Sequence, residues 1–251
     1  MSQLNVVSKT DTGQVRVKNE DSNCAFEPKN KKTRNAKGSL YIVADGMGGH
    51  RGGEVASKLA VDTIQAEYYS DREADPLNAL AAAFQKANRL IFEKSTGDQA
   101  FFGMGTTCTA MVIMKDTAYF AHVGDSRAYL FREGDLRRIT RDHSLVEDMI
   151  RAGMITPEEA RVHPQRNVIT RSLGIQDSIQ PDHPETPFQV LKRDVFLICS
   201  DGLTSLVDDS TIQSVLAEKK PAEACNHLIS LANQLGGTDN ITVQIIEVKK
   251  T

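Results

Sequence analysis

Little in this chain marks a secreted, membrane-bound or nucleic-acid-binding protein. Its four cysteines, Cys24, Cys108, Cys199 and Cys225, lie far apart with no Cys-x-x-Cys pair. That argues against a zinc knuckle or a disulfide framework and predicts reduced, mostly buried thiols. No run of about 18 uncharged apolar residues occurs, so no membrane-spanning helix is expected. Residues 1–7 lack a charged segment followed by an apolar stretch, so a cytoplasmic protein without membrane contacts is expected. Thirty Lys and Arg stand against 33 Asp and Glu, for a charge of −3. No block of like charges is long enough for a nucleic-acid tail or a polybasic anchor, and no nucleic-acid partner is expected. Internal repeats and low-complexity tracts are missing as well. The 251 residues, 40% hydrophobic and 25% charged, can bury one large core; a single domain over 1–251 is the expectation.

What the chain does have is a repeated junction. The apolar run 41–44 meets Asp45-Gly46, and the run 195–200 meets Asp201-Gly202. A short apolar run closed by a turn signal reads as a buried strand, so each Asp should stand at a strand end, beside a Gly that lets another backbone come close. Val123-Gly124-Asp125 repeats the pattern, and Gly236-Gly237-Thr238-Asp239-Asn240 sets a fourth Asp before the apolar run 241–248. Near the start, Arg16 precedes Asn19-Glu20-Asp21. Carboxylates gathered at strand ends repel one another unless cations sit between them, so the set predicts a metal centre. Six carboxylates with no cysteine or histidine array mean oxygen-only coordination, which suits magnesium or manganese and disfavours zinc.

Strand patterns fall at residues 4–8, 22–26, 39–44, 106–114, 117–123, 127–131, 136–139, 195–200 and 241–248, and helical periodicity at 54–69, 76–94, 208–218 and 221–234. Helix pairs set between clusters of hairpins suggest antiparallel sheets packed together, with helices covering the outside. Lys29, Lys31, Lys32, Arg34 and Lys37 read as a solvated hairpin tip. Between 142 and 171 the pattern turns polar: a short helix at 144–152, a capping box at Thr156-Pro157-Glu158-Glu159, then His163-Pro164-Gln165-Arg166-Asn167. That segment is a candidate lid. The glycines of 46–53 read as a close turn into the first long helix, since neither a P-loop lysine nor a dinucleotide fingerprint accompanies them.

Arg16 with Glu20-Asp21, Asp45-Gly46-Met47-Gly48-Gly49, Gly105-Thr106-Thr107, Gly124-Asp125-Ser126-Arg127, Ser200-Asp201-Gly202-Leu203 and Gly237-Thr238-Asp239-Asn240 follow in order through almost the whole chain. Together they resemble the metal-dependent serine/threonine protein phosphatases of type 2C, most nearly the compact bacterial branch. The resemblance implies an α+β fold, a four-layer α/β/β/α sandwich of two central antiparallel sheets flanked by helix pairs, with a small flap insertion at 142–171. It implies hydrolysis of phosphoserine and phosphothreonine in proteins by water at two Mn2+ or Mg2+ ions, with a third, weaker ion in addition.

Carried over by residue, Asp45 bridges the two ions and the Gly46 carbonyl binds one of them. Asp201 and Asp239 match ligands of the first ion and Glu20 a ligand of the second, while Asp21 matches a residue that holds waters on the metals. Asp125 with Asp201 resembles the third site, and Arg16 matches the phosphate-binding arginine, whose planar fork suits two phosphate oxygens. Where animal members carry a histidine, this chain has Met47, which leaves proton donation to a water on the metals. His50 reads as a turn residue. His163 and Arg166 match the flap, where substrate choice is influenced. The implied partners are phosphoproteins and a serine/threonine kinase that the enzyme antagonises, and a monomer is expected. A catalytically silent, metal-bound signalling scaffold of the same fold is the alternative, but it would usually lose a ligand or Arg16. A nuclease would show a basic surface, against which the pI of 6.1 speaks.

Overall fold

In the computed structural model, which describes residues 3–48 and 52–250, the chain opens with strands β1 (Gln3–Asp11) and β2 (Asp21–Phe26), helix α1 (Lys31–Lys37) and strand β3 (Ser39–Met47). Helices α2 (Gly52–Ser70) and α3 (Pro76–Gly97) follow, then a 3-10 turn at Gln99–Phe101. Next come β4 (Gly105–Thr106), β5 (Cys108–Met114), β6 (Thr117–Val123), β7 (Arg127–Arg132) and β8 (Asp135–Arg138). Short helices α4 (Leu145–Arg151) and α5 (Pro157–Val162) occupy the polar segment. The rest is β9 (Phe188–Gln189), β10 (Val195–Cys199), α6 (Asp201–Thr204), α7 (Asp209–Glu218), α8 (Pro221–Gln234) and β11 (Ile241–Lys250).

One sheet has the order β1-β11-β10-β7-β8 and the other β2-β3-β5-β6-β9, with β4 joined to β3; all these pairings are antiparallel. The side-chain period of two assigns each strand's faces. On β3, Leu40, Ile42 and Ala44 pack with Ala60, Ile64 and Phe84 of α2 and α3, while Tyr41 and Val43 turn the other way, into a cluster with Phe196, Ile198 and Ile246. On β11, Ile241, Val243 and Ile245 face Ile212 and Leu228 of α7 and α8, and Ile246 and Val248 face between the sheets. Three apolar layers therefore separate four layers of elements, the expected α/β/β/α sandwich. Strands buried on both faces explain the near-continuous apolar runs, and each fully buried Ile or Leu contributes roughly 1.5–3 kcal/mol.

Toward one end of the sandwich the inter-sheet layer becomes polar, with buried Thr107, Thr109, Ser126, Ser200, Thr242 and Gln244. The Asp-Gly junctions lie there. Local signals hold elsewhere: Asp75 accepts from the N–H groups of Leu77 and Asn78 at 2.8 and 3.0 Å ahead of Pro76, and the Thr156–Glu159 capping box is closed at 2.7 and 3.2 Å. Cys108, Cys199 and Cys225 are buried free thiols and Cys24 is partly so. Among the described residues, no helix is long and apolar enough to cross a membrane.

Three expectations need correction. The basic cluster does lie in the connection between the antiparallel pair β2 and β3, but from Lys31 to Lys37 that connection is helix α1, started by Asn30, which accepts from Lys32 N at 2.8 Å, and ended by Gly38 at φ 71°. It has no buried residue, so no apolar stripe announced it. The run 106–114 is two strands, broken at Thr107. Finally, Asp45 does not end its strand: β3 pairs with β5 only as far as Val43 and then takes up β4 through Gly46 and Met47. Asp45 sits at that change of partner.

Candidate metal centre

Pairing and loop packing bring the acids together. Asp21 and Asp45 are direct register partners across β2 and β3. Asp201 opens α6 just beyond β10, and Asp239 precedes β11, the strand beside β10. Asp125 lies in the turn between β6 and β7. Both Asp-Gly glycines are points of close approach. A Cβ on Gly46 would lie 2.1 Å from the Gly53 carbonyl and 2.6 Å from that of Glu20, and one on Gly202 would lie 2.0 Å from the Asn240 carbonyl. No other residue fits there without moving backbone.

Hydrogen bonds then fix each acid. Glu20 N–H donates to Asn240 Oδ1 at 2.7 Å, and the Glu20 carbonyl accepts from Ser57 Oγ at 2.6 Å and Gly46 N at 3.2 Å. Asn240 Nδ2 donates to the Thr12 and Lys18 carbonyls, both at 2.9 Å. One amide thus clasps the loop that carries Arg16. Asp21 Oδ2 accepts from Ser200 Oγ at 2.8 Å and Thr242 Oγ1 at 2.6 Å. Asp45 N–H donates to Thr107 Oγ1 at 3.0 Å, and its carbonyl accepts from Thr107 N at 2.9 Å and Thr106 Oγ1 at 2.8 Å. Thr107 Oγ1 lies 2.7 Å from Ser126 Oγ, which ties the Asp45 strand to the turn after Asp125. Arg16 Nη2, on a half-exposed side chain, meets Asp239 Oδ2 at 2.7 Å.

The electrostatics are those of an acid cluster short of positive charge. Burial pushes Asp21 up to about 7, with repulsion from Asp201 and Asp239 adding and the Thr242 and Ser200 hydroxyls opposing. Burial, then Asp21, Asp201, Asp125 and Asp239, drive Asp45 well above the usual carboxylate range. Asp125 goes the same way through burial, Asp201 and Asp142. Asp201 is raised by burial and Asp239, against the pull of its hydrogen bond with Asp45 and of Arg127, and Glu20 is raised by burial. Three buried carboxylate oxygens, Asp21 Oδ1, Asp125 Oδ1 and Asp201 Oδ1, have no hydrogen-bond partner. Each such atom costs on the order of 1–3 kcal/mol or more unless something binds it. Oxygen donors alone, buried and mutually repelling, fit hard divalent cations. Among the described residues no three acidic, histidine or cysteine side chains already close on a single point. Arg16 engages Asp239, so a guanidinium partly offsets the negative charge at the rim.

Glu20, Asp21, Asp45, Asp125, Asp201 and Asp239, all named from the sequence, therefore share one site, with Gly46 wedged beside Glu20 and Arg16 at its rim. The flap residues part company. Arg166 lines a cavity of about 490 Å³ together with Asp125 and Asp201, whereas His163 does not and uses its Nδ1 to accept Gln165 N–H at 3.1 Å. Gly49 and His50 lie outside the described residues. Asn240, Thr107, Ser200 and Arg127, which stand inside the motifs, had no role assigned from the sequence, and Thr242 and the buried Asp142 bonded to Arg127 were not singled out at all. The one available signal was a hydroxyl or amide flanking each apolar run at its acidic end.

A family model described as protein phosphatase 2C matches residues 6–241. The chain is 38% identical over 244 residues to the serine/threonine phosphatase stp of Listeria welshimeri serovar 6b, covering 95% of this chain and 94% of that one. The crystal structure of the Mycobacterium tuberculosis serine/threonine phosphatase PstP/Ppp superposes with a TM-score of 0.87 at 37% identity, covering 99% of this chain and all of that one. The catalytic domain of PstP in complex with two manganese ions gives a TM-score of 0.86 at 35% identity over the full length of both chains. The sandwich agrees with these likenesses, and the chain belongs to the protein phosphatase 2C family.

Proposed function

We propose that this protein hydrolyses phosphoserine and phosphothreonine in proteins at a pair of manganese or magnesium ions held by Glu20, Asp45, Gly46, Asp201 and Asp239, with Asp21 ordering solvent beside them. Family membership over nearly the whole chain makes it a protein serine/threonine phosphatase, a phosphoric monoester hydrolase. The observation that carries the ion site is the set of buried, mutually repelling carboxyls with unpartnered oxygens next to an arginine. When bound, two such ions supply an activated water and neutralise charge in an in-line displacement at phosphorus.

The chain's own residues have distinct tasks. Asp45 lies central to the repulsion, coupled to Asp21, Asp201, Asp125 and Asp239, which suits a carboxylate shared between two cations. Thr106 and Thr107 hold its backbone on both sides, so it is positioned before substrate arrives. Arg16 uses one arm on Asp239, and the remaining donors of its exposed fork suit phosphate oxygens. Met47 carries no proton to give, so the departing serine or threonine oxygen takes its proton from solvent at the site. Asp125 and Asp201 would hold a third, weaker ion, and Arg166 would touch substrate flanking the phosphate. His163 has no such placement. A cytoplasmic monomer that opposes a serine/threonine kinase completes the reading. The silent scaffold is disfavoured, since every acidic position and Arg16 are present.

The test is hydrolysis of a phosphothreonine peptide with Mn2+ and with a chelator in excess. Release of phosphate that depends on added ion is expected. Turnover that persists undiminished in chelator would overturn the reading.

A further inference from the structure

Arg127 and Asp142 have no part in the reaction described, yet they form the most heavily bonded ion pair near the site. Arg127 Nε donates to Asp142 Oδ1 and Oδ2 at 3.1 and 3.0 Å, and Nη2 donates to Oδ2 at 2.7 Å. Arg138 Nη2 lies 2.6 Å from Asp142 Oδ1, so a single carboxylate, 8% exposed, gathers two guanidinium groups. The other arm of Arg127 donates to the Tyr129 hydroxyl at 3.4 Å, which in turn donates to Asp209 Oδ1 at 2.9 Å. The Arg127 hydrogen bonds thus go to Asp142 and Tyr129 and none to Asp125. Even so, Arg127 follows Asp125 by two residues, and Asp125, Asp201, Arg127, Arg138 and Asp142 line the same cavity.

This arrangement is odd on energetic grounds. A planar guanidinium is the best side-chain partner for a carboxylate, and Asp125 Oδ1 and Asp201 Oδ1 are buried and unpartnered. Arg127 would satisfy one of them if it swung across their common cavity. Its donors are instead taken up by Asp142 and Tyr129.

We propose that Asp142 is a positioning residue that holds the Arg127 guanidinium off Asp125 and Asp201, so that their free oxygens stay open to a divalent cation. The proposal rests on the reading of Asp125 and Asp201 as cation ligands. Without the charge of Asp142, Arg127 turns its fork onto Asp125, occupies the ligand oxygen and sets a bare positive charge where the ion should sit. With Asp142 in place the Arg127 charge is countered by a carboxylate at 2.7 Å rather than by the ligand oxygens.

The experiment is calorimetric titration of the metal-stripped protein with Mn2+, alongside thermal unfolding, for wild type and for Asp125→Asn, Asp142→Asn, Arg127→Gln and the double variant Asp142→Asn/Arg127→Gln. The weakest Mn2+ step of the wild type is expected to vanish in Asp125→Asn. In Asp142→Asn its Kd should rise roughly ten- to a hundredfold, the scale of other supporting residues around metals. In the double variant it should return close to the wild-type value, because no cation is left to collapse onto the ligands. If Asp142 only braces the fold, the double variant binds no better than Asp142→Asn, and that result overturns the proposal. An unchanged Kd in Asp142→Asn also overturns it. Should Asp142→Asn not fold, Arg127→Gln alone decides: binding as tight as wild type or tighter supports the proposal, and weaker binding refutes it. If Asp125→Asn leaves the Mn2+ stoichiometry intact, the ligand assignment itself is wrong and the proposal falls with it, an outcome distinct from a failure of Asp142 alone.

Discussion

Strand β10 carries one aspartate just before its first residue and another two positions beyond its last, and the two could hardly be treated more differently. Asp194, 1% exposed, has both oxygens filled: Oδ1 accepts from Arg132 Nε at 2.7 Å, and Oδ2 accepts from Arg132 Nη2 and Leu191 N–H, each at 2.7 Å. Asp201 has a buried oxygen with no partner, other aspartates for neighbours and a proton affinity raised by burial. Residue type is the same, and each has a carboxylate oxygen shut off from solvent, although Asp201 as a whole is partly exposed. What separates a structural carboxylate from a functional one is the count of its donors: a satisfied carboxylate holds the fold together, whereas an orphaned one stores a demand that only a ligand can meet.

Substitution should break the two ends of β10 in opposite ways. The larger effect on stability belongs to Asp194→Asn, which leaves Arg132 without its counter-charge. Removing one partner of a buried pair costs about 3–5 kcal/mol, and with Arg132 32% exposed the lower figure, about 3 kcal/mol, is expected. At 2–4 °C per kcal/mol for a chain of this size, the unfolding midpoint should fall by about 6–12 °C, while turnover well below that midpoint and Mn2+ affinity stay near wild type. Asp201→Asn should do the reverse. Turnover on a phosphopeptide should drop roughly a hundredfold or more, about 2.7 kcal/mol of activation free energy, while the metal-stripped protein unfolds at the same temperature or slightly higher because one repelling charge has gone. Should stripped Asp201→Asn prove as fragile as Asp194→Asn, the contrast would be empty.

How legible these features were follows the same division. The sandwich could be read because apolar alternation and capping are local: Leu40, Ile42 and Ala44 against Tyr41 and Val43 declare two buried faces, and Asp75-Pro76 declares a helix start. Asp45, Asp125 and Asp201 could be read because each follows an apolar run beside a glycine at which a Cβ would meet a neighbouring segment. Helix α1 escaped, since a helix that buries nothing leaves no periodic trace. So did Asn240 and Asp142. Their bonds span 222 residues, from Asn240 to Lys18, and 15 residues, from Asp142 to Arg127; nothing in the local pattern tells which distant backbone or guanidinium an amide or carboxylate will reach.

The smallest effect, taken over one pH unit, is also the one that sets the two kinds of buried group directly against each other. His122 donates from Nε2 to the Arg141 carbonyl at 3.0 Å and its Nδ1 lies 2.8 Å from the Thr109 hydroxyl, a neutral ring with both nitrogens used. Burial, then the His143 ring packed beside it at 5.0 Å, hold it down at about 3 from an ordinary 6.5. Between those values the unfolded chain binds a proton that the folded chain refuses, so the His122 contribution is complete above pH 6.5 and is lost as pH falls toward 3, by up to about 1.4 kcal/mol per unit. Asp21 has the opposite sign: raised to about 7 from 3.8, it keeps a proton in the folded, metal-stripped protein that the unfolded chain has lost, so its contribution declines as pH rises through that window. In chelator the two slopes oppose each other, and Glu20, Asp45, Asp125 and Asp201, raised as Asp21 is, add to the acidic side and mask the histidine. With saturating Mn2+ the acids are held ionised, and the His122 slope should emerge. Urea unfolding across that range, for wild type and His122→Gln, isolates the histidine: loss of packing shifts the variant's whole curve, but only loss of the titrating ring makes its slope differ from wild type by about 1.4 kcal/mol per unit, in chelator and in Mn2+ alike. Parallel curves would mean that His122 takes up its proton inside the folded protein, and that a ring with both nitrogens bonded is no more closed to protons than the orphaned acids are.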